Sequence, residues 1–103
     1  MFGTIARFHP KAGHEAEIRA LTTEWSRSIR PTVPGLTVQL EGESFGRPGE
    51  LVTVILTRDE RTYRALAASP EQDAWYRRLR EHLTGDPVWD DVTWESVRFD
   101  AAR

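Results

Sequence analysis

The chain has 103 residues, of which 39% are hydrophobic and 29% are charged, and its formal net charge is −2. This length encloses one hydrophobic core, so we predict a single domain over residues 1–103. The 14 basic and 16 acidic residues create no strong field of either sign. We therefore predict no nucleic acid and no anionic membrane as a partner.

The sequence contains no cysteine, which excludes disulfides, thiolate metal ligands and a cysteine nucleophile. No apolar run approaches the length that spans a membrane. The N-terminal residues pass directly into strand-like sequence, without a basic segment followed by an apolar one. We therefore expect a cytoplasmic protein.

In the first half of the chain, the hydrophobic pattern predicts a strand, a helix and two more strands. Residues 2–9 alternate with apolar residues on both faces, which indicates a strand covered on both sides. Apolar residues at three- and four-residue steps predict a surface helix over about residues 14–30. Alternation predicts a half-covered strand over residues 36–43, and the apolar run 51–57 predicts a central strand.

In the second half, capping signals define two helices. Asp59 or Thr57 caps a short helix over about residues 60–67. The segment 69–72 (Ser-Pro-Glu-Gln) predicts a second start, because serine caps, proline suits the first position and glutamine can bond back to the cap. We expect this helix to run to about residue 83, and a last strand over residues 90–99.

The predicted order is strand, helix, strand, strand, helix, strand, which indicates an α+β fold of the ferredoxin-like type. Two strand-helix-strand halves then form a four-stranded antiparallel sheet with both helices on one face. The other face of the sheet is left bare, although strands 2–9 and 51–57 carry apolar residues on both faces. A second copy would cover this face, so we predict a homodimer with its sheets packed face to face.

Three turn and capping motifs resemble the antibiotic biosynthesis monooxygenase type of dimeric α/β-barrel protein. They are the Pro-Lys-x-Gly-x-Glu turn (Pro10, Lys11, Gly13, Glu15), the Val33-Pro34-Gly35 break and the Ser69-Pro70-Glu71 helix start. The resemblance covers residues 2–99. It implies a pocket between the helices and the sheet in each subunit. Some members of this family oxygenate polycyclic phenols without metal or flavin, others degrade haem, and many have no known reaction.

The resemblance also implies the kind of catalytic group to expect. A cofactor-independent oxygenase uses a base or hydrogen-bonding group to form the electron-rich anion of its substrate, which then meets oxygen in an apolar cavity. We predict His82 or His9 as the base and Arg7 as a group that holds an oxyanion. The alternative is structural: His82 at the margin of the core near a helix C-terminus, and Arg7 partly buried and paired with an acid.

For the substrate site, the same resemblance points to Tyr63, Trp75 and Tyr76. Tyr63 would donate a hydrogen bond to an oxyanion at the pocket mouth, and Trp75 and Tyr76 would form the walls. The alternative for all three is core packing, which aromatic residues at helical spacing also favour. We expect Trp25 and Trp94 in the core or the dimer interface.

We predict no cofactor and no metal. His9 and His14 do not lie at ligand spacing on one regular element, and no carboxylate joins them by pattern. The haem-degrading members need an asparagine on the first strand, and this chain contains none. The asparagine, tyrosine and tryptophan set of the aromatic-polyketide oxygenases is incomplete for the same reason.

Three functions remain open from the sequence. The first is a cofactor-independent, monooxygenase-like protein acting on a small aromatic or polyketide-like molecule. The second is a dimer that binds a small apolar or aromatic ligand without turnover. The third is a structural or regulatory dimer whose pocket is closed by Trp25 and Trp75.

Overall fold

The computed structural model of the protein describes residues 1–98 and 100. In chain order its strands and α-helices are β1 (Phe2–Phe8), α1 (Glu15–Ser28), β2 (Val38–Glu43), β3 (Leu51–Thr57), α2 (Glu60–Ala67), α3 (Pro70–Arg80) and β4 (Val88–Thr93). A short 3₁₀ helix, Arg30–Thr32, follows α1. None of the helices in the described residues has the length and hydropathy of a membrane-spanning segment.

The four strands form one antiparallel sheet in the order β2-β3-β1-β4. The two strands that carry apolar residues on both faces, β1 and β3, lie in the middle of this sheet and pair along their full length. All three α-helices are connections between these strands, and α1, α2 and α3 contact one another or the sheet. The predicted ferredoxin-like α+β fold is confirmed.

The last strand is the element that the sequence predicts least well. The pattern predicts it over residues 90–99, whereas β4 runs over Val88–Thr93. The reason is the length of its partner: among the described residues β4 pairs with β1 alone, and the pair Phe2–Thr93 is the last one in the register. Beyond Trp94, whose amide donates to the carbonyl of Met1, β1 offers no further residue to pair with. Phe99 lies outside the described residues.

The predicted caps are present. The side chain of Asp59 accepts a hydrogen bond from the Thr62 amide at 2.8 Å, and Ser69 accepts from the Gln72 amide at 3.1 Å. Gln72 does not return to the cap, because its Oε1 accepts from the indole of Trp25 instead. Helix α3 ends at Arg80 rather than near residue 83, since the following amides bond three residues back and tighten the last turn.

The alternation of β1 separates the two sides of the sheet as predicted. Thr4, Ala6 and Phe8 face the helices and are buried. Phe8 packs in a core cluster with residues of α1 and with Leu79 and Leu83. The opposite side of the sheet, which we call the outer face, carries the side chains that alternate with these along each strand.

Aliphatic residues occupy most positions of the outer face. The register places on it the side chains of Ile5, Val38, Leu40, Val52, Val54, Val88 and Val92. Leu40 is 58% exposed and Val88 is 63% exposed. One face of the β-sheet, which carries large aliphatic side chains, is therefore exposed to solvent in the single chain.

Candidate functional site

A cavity of about 300 Å³ lies between the helices and the helix-facing side of the sheet. This volume is at the lower end of the roughly 300–1,000 Å³ that is usual for small-molecule pockets. Its floor is formed by all four strands, and its roof by side chains of α1, α2 and α3. Six aromatic residues of the described part of the chain line it: Phe8, Trp25, Tyr63, Trp75, Tyr76 and Trp89.

Two tryptophans form the inner wall of the cavity and are fixed by hydrogen bonds. The indole Nε1 of Trp75 donates to the carbonyl oxygen of Leu21 at 2.7 Å, and that of Trp25 donates to Oε1 of Gln72 at 2.7 Å. Their ring centroids lie 6.4 Å apart with tilted planes, a favourable arrangement for aromatic pairs. Both bonds join α1 to α3, so the rings are held rigidly.

Tyr63 enters the cavity from α2. Its hydroxyl donates to Oδ1 of Asp91 on β4 at 3.1 Å, and its ring packs 5.3 Å from that of Phe2. Burial raises the pKa of Tyr63 above its ordinary value, and the negative charge of Asp91 raises it further. The phenol is therefore neutral at neutral pH, and its proton is directed towards Asp91.

Tyr76 and Trp89 lie together on the outer part of the lining. Their ring centroids are 6.0 Å apart, one on α3 and one on β4. Trp89 is 47% exposed, so this aromatic pair borders both the cavity and solvent. Burial raises the pKa of Tyr76, followed by the charge of Asp86.

The polar side of the cavity is formed by β2, which no motif in the sequence marks as part of a site. Gln39 donates from Nε2 to Oε1 of Glu41 at 2.7 Å and to the hydroxyl of Ser26 at 2.9 Å. No cation of the described residues lies within 4.0 Å of the Glu41 carboxylate. The alternation of residues 36–43 places Gln39 and Glu41 on the same face of the strand, but the polar residues of that face predict exposure to solvent rather than a site.

His82, the first candidate base, lies outside this lining. Its Nδ1 is 3.0 Å from Nδ1 of His14, so one imidazole donates to the other, and the two rings lie 5.2 Å apart. The pair joins the turn before α1 to the turn after α3. His82 borders a shallow groove on the outside of these helices together with Glu17, Glu24 and Arg78.

His9 and Arg7 also lie away from the cavity. Both approach Glu50, with Arg7 Nε 3.5 Å from Oε1 and His9 Nε2 3.3 Å from Oε2. Arg47 is the third basic residue, at 3.4 Å. Glu50 itself is 5% exposed, so the three basic groups compensate a buried carboxylate. Arg7 is thus paired with an acid, as the structural alternative for this residue predicts.

The structure therefore brings together three of the six predicted site residues, namely Tyr63, Trp75 and Tyr76. It places His82, His9 and Arg7 in two other clusters. Within residues 1–98 and 100, no group of three or more histidine, aspartate or glutamate side chains is arranged to hold a metal ion.

No protein-family model matches the sequence, and no curated protein is significantly similar to it. Solved structures, in contrast, are similar over nearly the whole chain. A protein from Caulobacter crescentus CB15 that is assigned as an antibiotic biosynthesis monooxygenase has a TM-score of 0.82 at 15% identity, over 92% of this chain and 90% of its own.

Two further structures show the same similarity. Rv0793 from Mycobacterium tuberculosis has a TM-score of 0.78 at 23% identity, covering 93% of this chain and 96% of its own. SnoaB, a cofactor-independent oxygenase from Streptomyces nogalater, has a TM-score of 0.78 at 17% identity, covering 93% and 94%. At these identities the likeness establishes the fold, so the resemblance predicted from the sequence is confirmed at that level.

Proposed function

We propose that the protein binds a small aromatic or polyketide-like molecule in the cavity between sheet and helices and oxidises it with molecular oxygen without a cofactor. The observation that carries this proposal is the 300 Å³ cavity with six aromatic residues in its lining. Support for the reaction comes from the structural similarity to SnoaB, a cofactor-independent oxygenase. Tyr63, Trp75 and Tyr76 form the proposed substrate site.

The proposed reaction converts a ring methylene of the substrate to a carbonyl. The carbon exchanges its two hydrogens for one oxygen atom, the second oxygen atom leaves as water, and the substrate supplies all four electrons. The protein has to remove a proton and exclude bulk water. Among the lining residues, Glu41 and Asp73 carry carboxylates that can accept a proton. His82, His9 and Arg7 are predicted catalytic groups that lie outside the lining.

We also propose that the protein is a homodimer whose subunits pack through the outer face. Support comes from the exposed aliphatic side chains of that face, which include Leu40 and Val88, because monomeric soluble proteins rarely expose a large contiguous apolar patch. Sedimentation at micromolar concentration tests this: Leu40→Lys should give monomers, whereas Phe45→Lys in the β2–β3 turn should not. A cytoplasmic location remains a prediction from the sequence.

The oxidation is tested by oxygen uptake with anthrones and other polycyclic phenols. We expect uptake above the uncatalysed rate, and its loss in an Ala6→Leu variant that fills the floor of the cavity. His82→Ala, His9→Ala and Glu41→Gln then identify the proton acceptor, because only removal of the base lowers the turnover rate at saturating substrate. Binding without any uptake contradicts the oxidative proposal.

A second candidate function, binding without turnover, has an observation of its own. The donors of Trp25, Trp75 and Tyr63 are all committed to partners within the protein. An oxyanion that forms in the cavity would therefore find no free donor on these three residues. A compound that co-purifies with the protein and is recovered unchanged would favour this candidate. The cavity beside Trp25 and Trp75 does not favour the third candidate, a closed pocket.

A further inference from the structure

The charged groups in the cavity lining are all acidic. Within the described part of the chain, the lining contains the carboxylates of Glu41 and Asp73 and no lysine, arginine or histidine. Asp73 is paired with Arg77 at 3.0 Å, but Glu41 accepts only from the neutral amide of Gln39. The Glu41 carboxylate, which is exposed on β2, therefore forms no direct ion pair among the described residues, and the Arg30 guanidinium reaches only the Gln39 amide, donating to its Oε1 at 3.0 Å.

The hydrogen-bond donors of the lining give the same indication. Both inner indoles donate to protein acceptors at 2.7 Å, and Tyr63 donates to Asp91. The hydroxyl of Thr4 donates to the carbonyl of Asp90, and that of Thr22 to the carbonyl of Ile18. These donors are therefore not available to a bound anion, and the described lining offers no cation; its remaining hydroxyl donors, on Thr53 and Tyr76, are neutral groups.

The aromatic walls complete the pattern. Indole and phenol rings present a negative face, which attracts cations most strongly where water is displaced. Because the N–H edges of Trp25 and Trp75 are occupied, the rings meet a ligand through their carbon surfaces. A flat ring bearing a positive group fits both features, since its apolar part contacts the walls and its charge approaches Glu41.

From this arrangement we infer that the ligand of the cavity carries a basic amine, whose ammonium group pairs with the carboxylate of Glu41. The inference rests on the proposed function in one respect, namely that the cavity is the ligand site. The inference goes beyond the proposed function because it assigns a positive charge to the ligand and identifies Glu41 as the residue that selects that charge. An ammonium group on the ligand would also serve as internal counter-ion for a phenolate on the same molecule.

The test uses three naphthalenes of similar size and different charge: naphthylmethylamine, naphthalenemethanol and naphthoate. Their binding to the full chain is measured by titration calorimetry at neutral pH in low and high salt. We expect the amine to bind about five- to tenfold more tightly than the alcohol, and the carboxylate to bind most weakly. The preference for the amine should shrink in high salt.

Glu41→Gln is the matched variant, because glutamine keeps the size of the side chain and an acceptor for Gln39. It should reduce the preference for the amine to less than about twofold while binding of the alcohol is unchanged. Glu95→Gln, an exposed position outside the lining, makes the same change in net charge and should leave the preference intact. Thermal melts confirm that both variants are folded.

The outcomes separate the inference from the proposal on which it rests. Equal binding of amine and alcohol, abolished in both cases by Ala6→Leu, overturns the amine inference and leaves the cavity as the ligand site. Tightest binding of the carboxylate also overturns the inference. If none of the three compounds binds, the proposal that this cavity takes a small aromatic ligand fails, and the inference fails with it.

Discussion

The indole of Trp75 donates a hydrogen bond of 2.7 Å to the backbone carbonyl of Leu21 and thereby ties α3 to the middle of α1. Leu21 is buried in the core cluster, and Trp75 packs against that cluster from the cavity side. The same residue therefore closes the core and forms a wall of the candidate site. Packing and a specific donor together set the position of this wall.

Replacing Trp75 by phenylalanine should lower the free energy of unfolding by about 1–2 kcal/mol, because the bond to Leu21 is lost and a smaller ring leaves space beside the core. Urea denaturation measures the change. Trp89→Phe is the matched control, because its ring is 47% exposed, and it should cost less than about 0.5 kcal/mol. Equal losses in the two variants would contradict a structural role for the Trp75 bond.

Gly3 is required by the close approach of β1 and β3. A Cβ atom at this position would lie 1.9 Å from the carbonyl oxygen of Ile55, so the two central strands cannot keep their spacing with a larger residue. Gly3→Ala should destabilise the protein by about 1–3 kcal/mol, the usual range for overpacking. Gly46→Ala in the β2–β3 turn, whose added methyl group would meet no atom within 4 Å, should be close to neutral in the same thermal melts.

Ala6 offers a way to fill the cavity without touching its polar groups. It lies on β1, is 3% exposed and lines the floor between β3 and β4. Ala6→Leu should weaken binding of a naphthalene probe at least tenfold and leave the melting temperature within a few degrees, because the new methyl groups occupy empty space. Ala16→Leu on the exposed side of α1 should leave binding unchanged.

Local signals in the sequence were sufficient for most of the fold. Ser69 and Asp59 cap the helices that they were predicted to cap, and the alternation of residues 2–9 separates the two sides of the sheet as expected. These features depend on neighbours in the chain. The predicted end of β4 was wrong because it depends on where its partner β1 stops, which is a contact between residues about 90 positions apart.

The candidate site was predictable only in part, and for the same reason. Trp75 and Tyr76 lie on the same helix as Leu79, so helical spacing alone predicts that they face the interior. Glu41 lines the cavity from the edge strand β2, whose polar residues predict a face exposed to solvent. The local sequence does not indicate that aromatic side chains of the helices cover this face. His82 follows the stripe of Trp75 but turns outward to pair with His14.

The cap of α2 should make stability depend on pH below neutrality. The Thr62 amide, and then its hydroxyl, hold the pKa of Asp59 below its ordinary 3.8. A carboxyl group whose pKa is lower in the folded state stabilises the protein above its unfolded pKa, and this contribution is lost as the pH falls through the folded value. Melting curves between neutral and acidic pH measure it.

Asp59→Asn keeps an oxygen for the Thr62 amide but does not titrate, so part of the loss of stability in acid should disappear. Glu95→Gln is the control, because Glu95 is exposed and its side chain forms no hydrogen bond or ion pair within the described part of the chain. Acid profiles that are identical in wild type and Asp59→Asn would contradict the assignment of this titration to the cap.

The chain has two tyrosines, and both line the cavity, so an alkaline titration reports on the cavity alone. Burial raises the pKa of Tyr63 and of Tyr76 above the ordinary 10.0. In the folded protein, ultraviolet absorbance of tyrosinate should therefore rise only above pH 10, whereas in denaturant both groups should ionise near it.

The same shift predicts how stability changes in alkali. A phenol whose pKa is raised by folding contributes stability that is complete below the unfolded pKa and is lost as the pH rises through the folded value. Tyr63→Phe and Tyr76→Phe should each remove one ionisation step and its share of the alkaline loss. A bound naphthalene should delay both steps further, because it displaces water from the rings. Ionisation near the ordinary value in the folded protein would mean that the cavity is open to bulk water.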